Sequence, residues 1–154
     1  MRNGTVVAIH LAGKATRPLE PVQSVKAVAG HGLEGDRYCR SEGTFSKKPG
    51  PDRELTLIES EALEALVRDY GVELASGENR RNITTRGVPL NHLVGREFRI
   101  GEVRARGLRL CEPCSHLESV TGKGLISGLK HRGGLRAQIL TTGIIHVGDT
   151  VEEV

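Results

Sequence analysis

Cys111 and Cys114 bracket Glu112 and Pro113 in "RLCEPCSHLE" (109–118), and such a C-x-x-C pair can do three kinds of chemistry. It can supply half of a tetrahedral zinc site, form a dithiol redox couple, or present one reactive thiolate beside a bystander. Structural zinc wants four N or S ligands, usually from two such pairs or from one pair with closely spaced histidines. Here the third and last cysteine is Cys39 and no H-x-x-x-H pair follows, so zinc would need Cys39, Cys111, Cys114 and one of six histidines. A redox couple wants the pair at a helix N-terminus inside a strand–helix–strand unit, and the surrounding pattern lacks that context. The remaining reading is a single thiolate at Cys114. Ser115, His116 and Leu117 can form a first helical turn after Pro113, whose free N–H groups and dipole stabilise an anion. Such a sulfur is a soft metal ligand or a nucleophile. The plain alternative is two inert cysteines packed at a strand end.

Three further segments carry polar groups of the right kind. In "GLEGDRY" (32–38), Gly32 and Gly35 permit sharp turns and close backbone approach to a ligand. Asp36 and Arg37 can pair with each other or offer opposite charges to a polar ligand; the bland reading is a turn with a surface ion pair. In "ENRRNITT" (78–85), Arg80, Arg81, Asn82, Thr84 and Thr85 together suit a phosphate or a heteroaromatic edge. If this segment is a strand, Arg80 and Arg81 point to opposite faces and at most one reaches a pocket. In "KHRGGLRAQIL" (130–140), Arg132 precedes Gly133–Gly134, a pair able to expose backbone donors to an anion. A plain turn explains it equally well, and the Walker pattern is absent.

The elements that must position these groups are mostly strands. Alternation or β-branched content predicts strands over 5–13, 24–30, 54–59, 80–87, two runs within 96–110 joined at "IGE" as a hairpin, and two or three within 136–154. "SEALEALVRDYG" (60–71) is the clear helix, with Ser60 as N-cap and Gly71 as its stop. Residues 89–95 read as a turn or one helical turn, and 114–129 as one or two short helices. Residues 30–53 form a long polar, Gly-rich stretch of the kind that is usually functional or disordered. Many short strands with few helices predict a β-rich fold, a small β-barrel, in one domain over residues 1–154.

Composition narrows the function. Aromatics are 3% with no Trp, which argues against base stacking, and a net charge of +3 is not the clustered excess of a nucleic-acid binder. No apolar run reaches the roughly 18 residues of a membrane span, and the N-terminal run reads as a strand rather than a signal peptide. Three cysteines make no disulfide framework, which points to the reducing cytoplasm.

Taken in order across residues 24–151, "GLEGDRY", "LTLIESEAL", "RRNITTRGVPL", "CEPCSHLE" and "HRGGLRAQILTTGIIHVGDTV" resemble the MOSC domain, named for the C-terminal domain of molybdenum cofactor sulfurases. The resemblance implies a barrel of the MOSC type that binds molybdenum cofactor, a metal held by a pterin dithiolene with a terminal phosphate. It implies that Cys114, the cysteine of the "PC" element, is the metal ligand in a reductase or a persulfide-bearing sulfur in a carrier. It places Gly35, Asp36, Arg37, Arg81, Asn82, Arg132 and Gly133 around the cofactor, with Asp36 or His116 as candidates for proton delivery. The implied substrates are N-hydroxylated bases and related small molecules. Electrons or sulfur would come from a donor protein or a small thiol, and pyridoxal phosphate is not expected in this domain. Tyr38 stands where many relatives carry His, so a hydroxyl replaces an imidazole there.

Overall fold

Alternation along the strands builds the architecture. Phe98, Ile100, Val103, Ala105, Leu135, Ala137 and Ile139 are buried, while Arg99, Arg104 and Arg106 between them face solvent. The computed structural model describes residues 3–11, 19–36, 53–74, 79–112 and 128–154. In chain order these form β1 (Gly4–Leu11), β2 (Glu20–Val22), β3 (Ser24–Val28), β4 (Gly32–Leu33), β5 (Leu55–Glu59), α1 (Ser60–Tyr70) and β6 (Ile83–Arg86). A 3-10 turn (Leu90–Leu93), β7 (Glu97–Ile100), β8 (Val103–Leu110), β9 (Leu135–Ile139), β10 (Gly143–His146) and β11 (Thr150–Glu153) follow.

Seven strands close into a barrel in the order β1, β6, β5, β9, β8, β7, β11, with β11 returning to β1 through Gly4↔Val151 and Thr5↔Thr150. The barrel interior is one apolar cluster that includes Val6, Ile9, Leu57, Ile83, Phe98 and Leu135. Each such fully buried side chain contributes about 1.5–3 kcal/mol relative to exposure. β2 extends β1 outside the ring, and β10, β3 and β4 form a separate small sheet. The charged residues on the outer face of β7, β8 and β11 pair with each other: Glu97 with Arg104 and Arg106, and Arg99 with Glu152. Pairs this exposed hold little energy; they keep the face soluble.

β5 and β6 run parallel, so the chain between them must cross over, and α1 lies in that crossover. It packs on β5 and β6, burying Ala62, Ala65 and Leu66. This explains why β5 is buried on both faces. Gly71, in the left-handed region at φ 67°, ends the helix as expected and donates its N–H to the Val67 carbonyl. The start differs by one residue: Glu59 is the cap, and Ser60 is the first helical residue, its hydroxyl 3.3 Å from Glu61 Oε1.

Among the described strands β10 lies at an edge, paired on one side with β3. Its Ile144 N–H donates to Glu102 Oε1 (2.8 Å) and its His146 N–H to Asp149 Oδ2 (2.8 Å). Carboxylates thus occupy two backbone donors that an edge would otherwise show to another chain.

The predicted strands, helix and hairpin are present with small shifts at their ends. Three features depart from expectation. β4 lies inside the stretch read as a loop, β2 ("EPV") had no alternation to reveal it, and the strand expected over 80–87 begins only at Ile83. Most of 114–129 lies outside the described residues.

Candidate functional site

Register fixes where the polar groups meet. Ile9 pairs with Ile83, Ile83 with Leu57, Leu57 with Leu135 and Leu135 with Leu110, one row across five strands. The neighbours of this row in sequence are His10, Asn82, Thr56, Gly134 and Cys111. Strand side chains alternate, so His10 and Thr56 point away from the barrel core that Ile9 and Leu57 fill. Both are nevertheless buried, as are Asn79, Arg80, Arg81, Asn82 and Asp36. The result is a buried polar layer against the outer wall of the barrel.

Asn82 stands at its centre. Its Oδ1 accepts from the Thr56 backbone N–H (3.2 Å) and the Thr56 hydroxyl (3.1 Å). Its Nδ2 donates to the His10 carbonyl (3.2 Å) and to Asp36 Oδ1 (3.3 Å). Both amide donors and both acceptor sites are therefore engaged within the protein. The side chain acts as an extra peptide unit filling the gap between β1 and β5 where β6 begins, and it ties the turn after β4 to the wall. Asp36, expected beside a ligand, is 1% exposed and shares in this tie. Gly35 before it takes φ 91°, a value that excludes most side chains.

Arg81 forms a second hub. Its Nε donates to the Gly133 carbonyl (2.8 Å) and its Nη2 to the Cys111 carbonyl (3.1 Å), while Nη1 lies 3.5 Å from the Asn79 carbonyl. All three partners are neutral, so no carboxylate among the described residues cancels the charge of this buried guanidinium. The Cys111 N–H in turn donates to the Gly134 carbonyl (2.7 Å), locking the end of β8 to the approach of β9. Gly134 has φ 120°, and a Cβ there would lie 2.1 Å from the Leu57 carbonyl oxygen, so glycine is required for this approach. The expectation that a strand carries Arg80 and Arg81, with one of them facing solvent, is corrected. They precede the strand, Arg80 takes φ 61°, and both are buried, with the Asn79 side chain accepting the Arg81 N–H (2.8 Å).

Arg132 is more exposed, with its Nη2 3.9 Å from Asp69 Oδ2 on α1. Beside it His131, at φ 62°, donates its N–H to Glu112 Oε1 (2.9 Å), and its Nδ1 lies 3.2 Å from Glu112 Oε2. Asn91 Nδ2 donates to the His131 carbonyl (2.7 Å). Cys111 is a buried free thiol. Cys114, His116, Arg37 and Cys39 lie outside the described residues. Among the described residues no group of three His, Cys, Asp or Glu side chains could hold a metal ion.

Burial also sets protonation. His10 loses hydration and its pKa falls below the usual 6.5, which keeps the imidazole neutral. Glu54, buried at the start of β5, is pushed above 4.5 by desolvation, although the Ile139 and Gly30 N–H groups partly offset this.

The structure thus brings together Gly35, Asp36, Arg81, Asn82 and Gly133 on one side of the barrel, with Arg132 at the margin. Reading the sequence missed Asn79, Glu112 and His131. The adjacent "NRRN" run held a signal for the first, a turn-forming Asn ahead of two cations; nothing local marked the other two.

A closed seven-stranded barrel with a buried polar layer on its wall defines the chain as a small β-barrel domain. Within that class the chain belongs to the MOSC domain family, whose model matches residues 45–152. Among solved structures it is similar to the YuaD protein from Bacillus subtilis, at 14% identity and TM-score 0.81 over 99% of this chain and 96% of that one. It is also similar to YiiM from Geobacillus stearothermophilus (17%, TM-score 0.73, 98% of this chain and 75% of that one). YiiM from Escherichia coli matches at 20% identity and TM-score 0.69, over 97% of this chain and 69% of that one. At these identities the likeness is one of fold. No curated protein matches the chain. No helix among the described residues is long and apolar enough to cross a membrane.

Proposed function

We propose that this protein is a molybdenum-cofactor-binding oxidoreductase of the cytoplasm that reduces N-hydroxylated or related small molecules, with Cys114 as the metal ligand. Membership of the MOSC family relates the domain to molybdenum cofactor. The observation that carries the reading is the buried Arg81 guanidinium, held by three carbonyls and neutralised by no described carboxylate. A cation in that state makes the adjoining surface attractive to an anion such as a pterin phosphate. Among the described residues the cations Arg81 and, at the margin, Arg132 are of the type that would hold such a phosphate.

When bound, the cofactor would supply two-electron transfer at a metal with an open coordination position. The chain's own residues hold and shape. Arg81 fixes the Cys111 and Gly133 carbonyls, and Asn82 holds the Asp36 turn to the barrel wall. Cys114 follows Cys111 by three residues and offers a soft sulfur donor. Reduction of an N-hydroxylated substrate consumes two electrons and two protons and releases the amine and water. The electrons come from a donor protein or a small thiol, and Asp36 or His116 delivers a proton.

Elemental analysis tests the reading. Protein purified from a cofactor-replete host contains molybdenum near one per chain, and Cys114→Ser loses it together with donor-dependent substrate reduction. Absence of molybdenum from the wild-type preparation would overturn the assignment. Full molybdenum binding without turnover of any N-hydroxylated substrate, with a persulfide on Cys114, would make the protein a carrier instead.

A further inference from the structure

Strand register sets the charges on the outer face of the barrel in rows. Glu152 of β11, Arg99 and Arg104 form one row, and Glu97, Arg106 and Gln138 the next. Arg109, Arg136 and Thr56 of β5 form the third. Among the described residues, five arginines thus share this face with two glutamates, an excess equal to the net charge of +3 of the whole chain. Two rows set arginine directly opposite arginine, Arg99↔Arg104 and Arg109↔Arg136. Like charges so placed are destabilising. The carboxylates present are divided: Glu97 serves both Arg104 (2.6 Å) and Arg106 (3.1 Å), and Glu152 serves Arg99 (3.1 Å). Arg99, Arg104 and Arg106 keep 46–49% of their side-chain surface exposed, so a second anion can reach each of them.

We propose that this outer face of β7, β8 and β9 docks a protein partner that presents an acidic surface, in a transient encounter. The plain alternative is a solubilising face. Interspersed signs would serve solubility without setting like charges opposite each other, so an excess of one sign calls for another reason. The kind of partner follows from what the face lacks. Among the described residues no exposed large apolar side chain belongs to β7, β8 or β9, so the dry centre of a stable interface is missing. Small charged faces suit brief encounters steered by opposite charge. Duplex DNA fits less well. It presents a negative charge about every 1.7 Å along its axis, and Glu97 and Glu152 interrupt a straight path across the arginines. A protein can set its acids over the arginines and leave the glutamates uncovered. The third row borders the polar layer, because Arg136 pairs with Thr56, whose hydroxyl bonds Asn82. A partner docked here sits at the margin of the candidate site. The docking itself does not depend on the cofactor reading.

NMR titration of the isotopically labelled full chain tests this, with a flexible peptide of alternating glutamate and serine as the probe. At low salt the peptide should bind, with shifts concentrated on β7, β8 and β9. Raising ionic strength from about 0.01 M to about 0.15 M shortens the Debye length from roughly 30 to 8 Å and should remove most of the binding. Arg104→Gln combined with Arg109→Gln should weaken binding about fivefold or more, since each exposed ion pair is worth at most several-fold. Glu97→Gln should tighten it about twofold or more, a gain that misfolding cannot mimic. Arg68→Gln and Glu64→Gln make the same kinds of change on α1 and should leave the affinity unchanged. Absence of binding, shifts spread over the whole surface, or equal effects from the α1 variants would overturn the docking face. A DNA duplex of matched charge that binds more tightly at the same strands would overturn the protein partner and make the face a nucleic-acid surface. A protein found to hold no molybdenum would lose the cofactor reading and leave every one of these outcomes as it stands.

Discussion

At Asn82 a single side chain replaces the hydrogen bonds of a missing strand segment. Removing it exposes a backbone N–H of Thr56, the carbonyl of His10 and one oxygen of Asp36, all buried. Each buried hydrogen bond lost costs about 0.5–1.5 kcal/mol, more where a charged group takes part. Asn82→Ala should therefore lower unfolding free energy by roughly 3 kcal/mol or more in a urea titration. Asn82→Asp keeps the acceptors but loses both donors, and should be nearly as damaging. If either variant matched the wild-type midpoint, the assignment of Asn82 as a structural plug would fail. The chemistry of this site was only partly legible in the sequence. The cations, the Gly pair and the C-x-x-C stood out because their types announce themselves. The work of Asn82 did not, because its partners lie 26, 46 and 72 residues away. The left-handed backbone of His131 was hidden for another reason: a histidine gives no warning of a conformation that glycine would have advertised.

Elements show where alternation suffices and where it does not. β7, β8 and β9 alternate cleanly because one face meets the core and the other meets water, and these strands could be read directly. β5 hides its pattern because α1 covers its outer face, and β2 and β4 are too short to hold one. The run at 80–87 looked like a strand from its β-branched centre, but its first residues serve a turn that carries two arginines. Gly134 belongs to the same scale. Gly134→Ala places a methyl group against the Leu57 carbonyl and should pry β9 from β5, with a fall in melting temperature of several degrees, about 4 °C or more. The β10 edge yields another outcome. Replacing Glu102 and Asp149 together by Ala frees the Ile144 and His146 N–H groups, and should produce concentration-dependent self-association in analytical ultracentrifugation. A double variant that stays monomeric at high concentration would show that the carboxylates do not guard the edge.

Across the whole molecule, buried titrating groups oppose each other. His10 is neutral when folded, with a pKa below 6.5, so the unfolded chain binds more protons as pH falls through that value. Its contribution is complete above 6.5 and is lost as pH drops toward the lowered folded pKa. Glu54 and Glu59 are raised above 4.5 by burial, so the folded chain binds protons first and gains stability as pH falls through their raised values toward 4.5. His10→Gln should therefore lose less stability than the wild type between pH 7 and pH 5. Glu54→Gln should be at least as stable as the wild type at pH 7, and that difference should shrink as pH approaches 4.5. Thermal unfolding across this range checks both signs.

The ring of strands also has a consequence in time. Closure rests on β1 meeting β11, which lie at opposite ends of the described sequence, through Gly4↔Val151 and Thr5↔Thr150. The ring therefore closes only when two strands far apart in sequence meet, a contact with a high loop-closure cost. Until they meet, the edge of β1 that β11 covers is open to pairing with any passing strand.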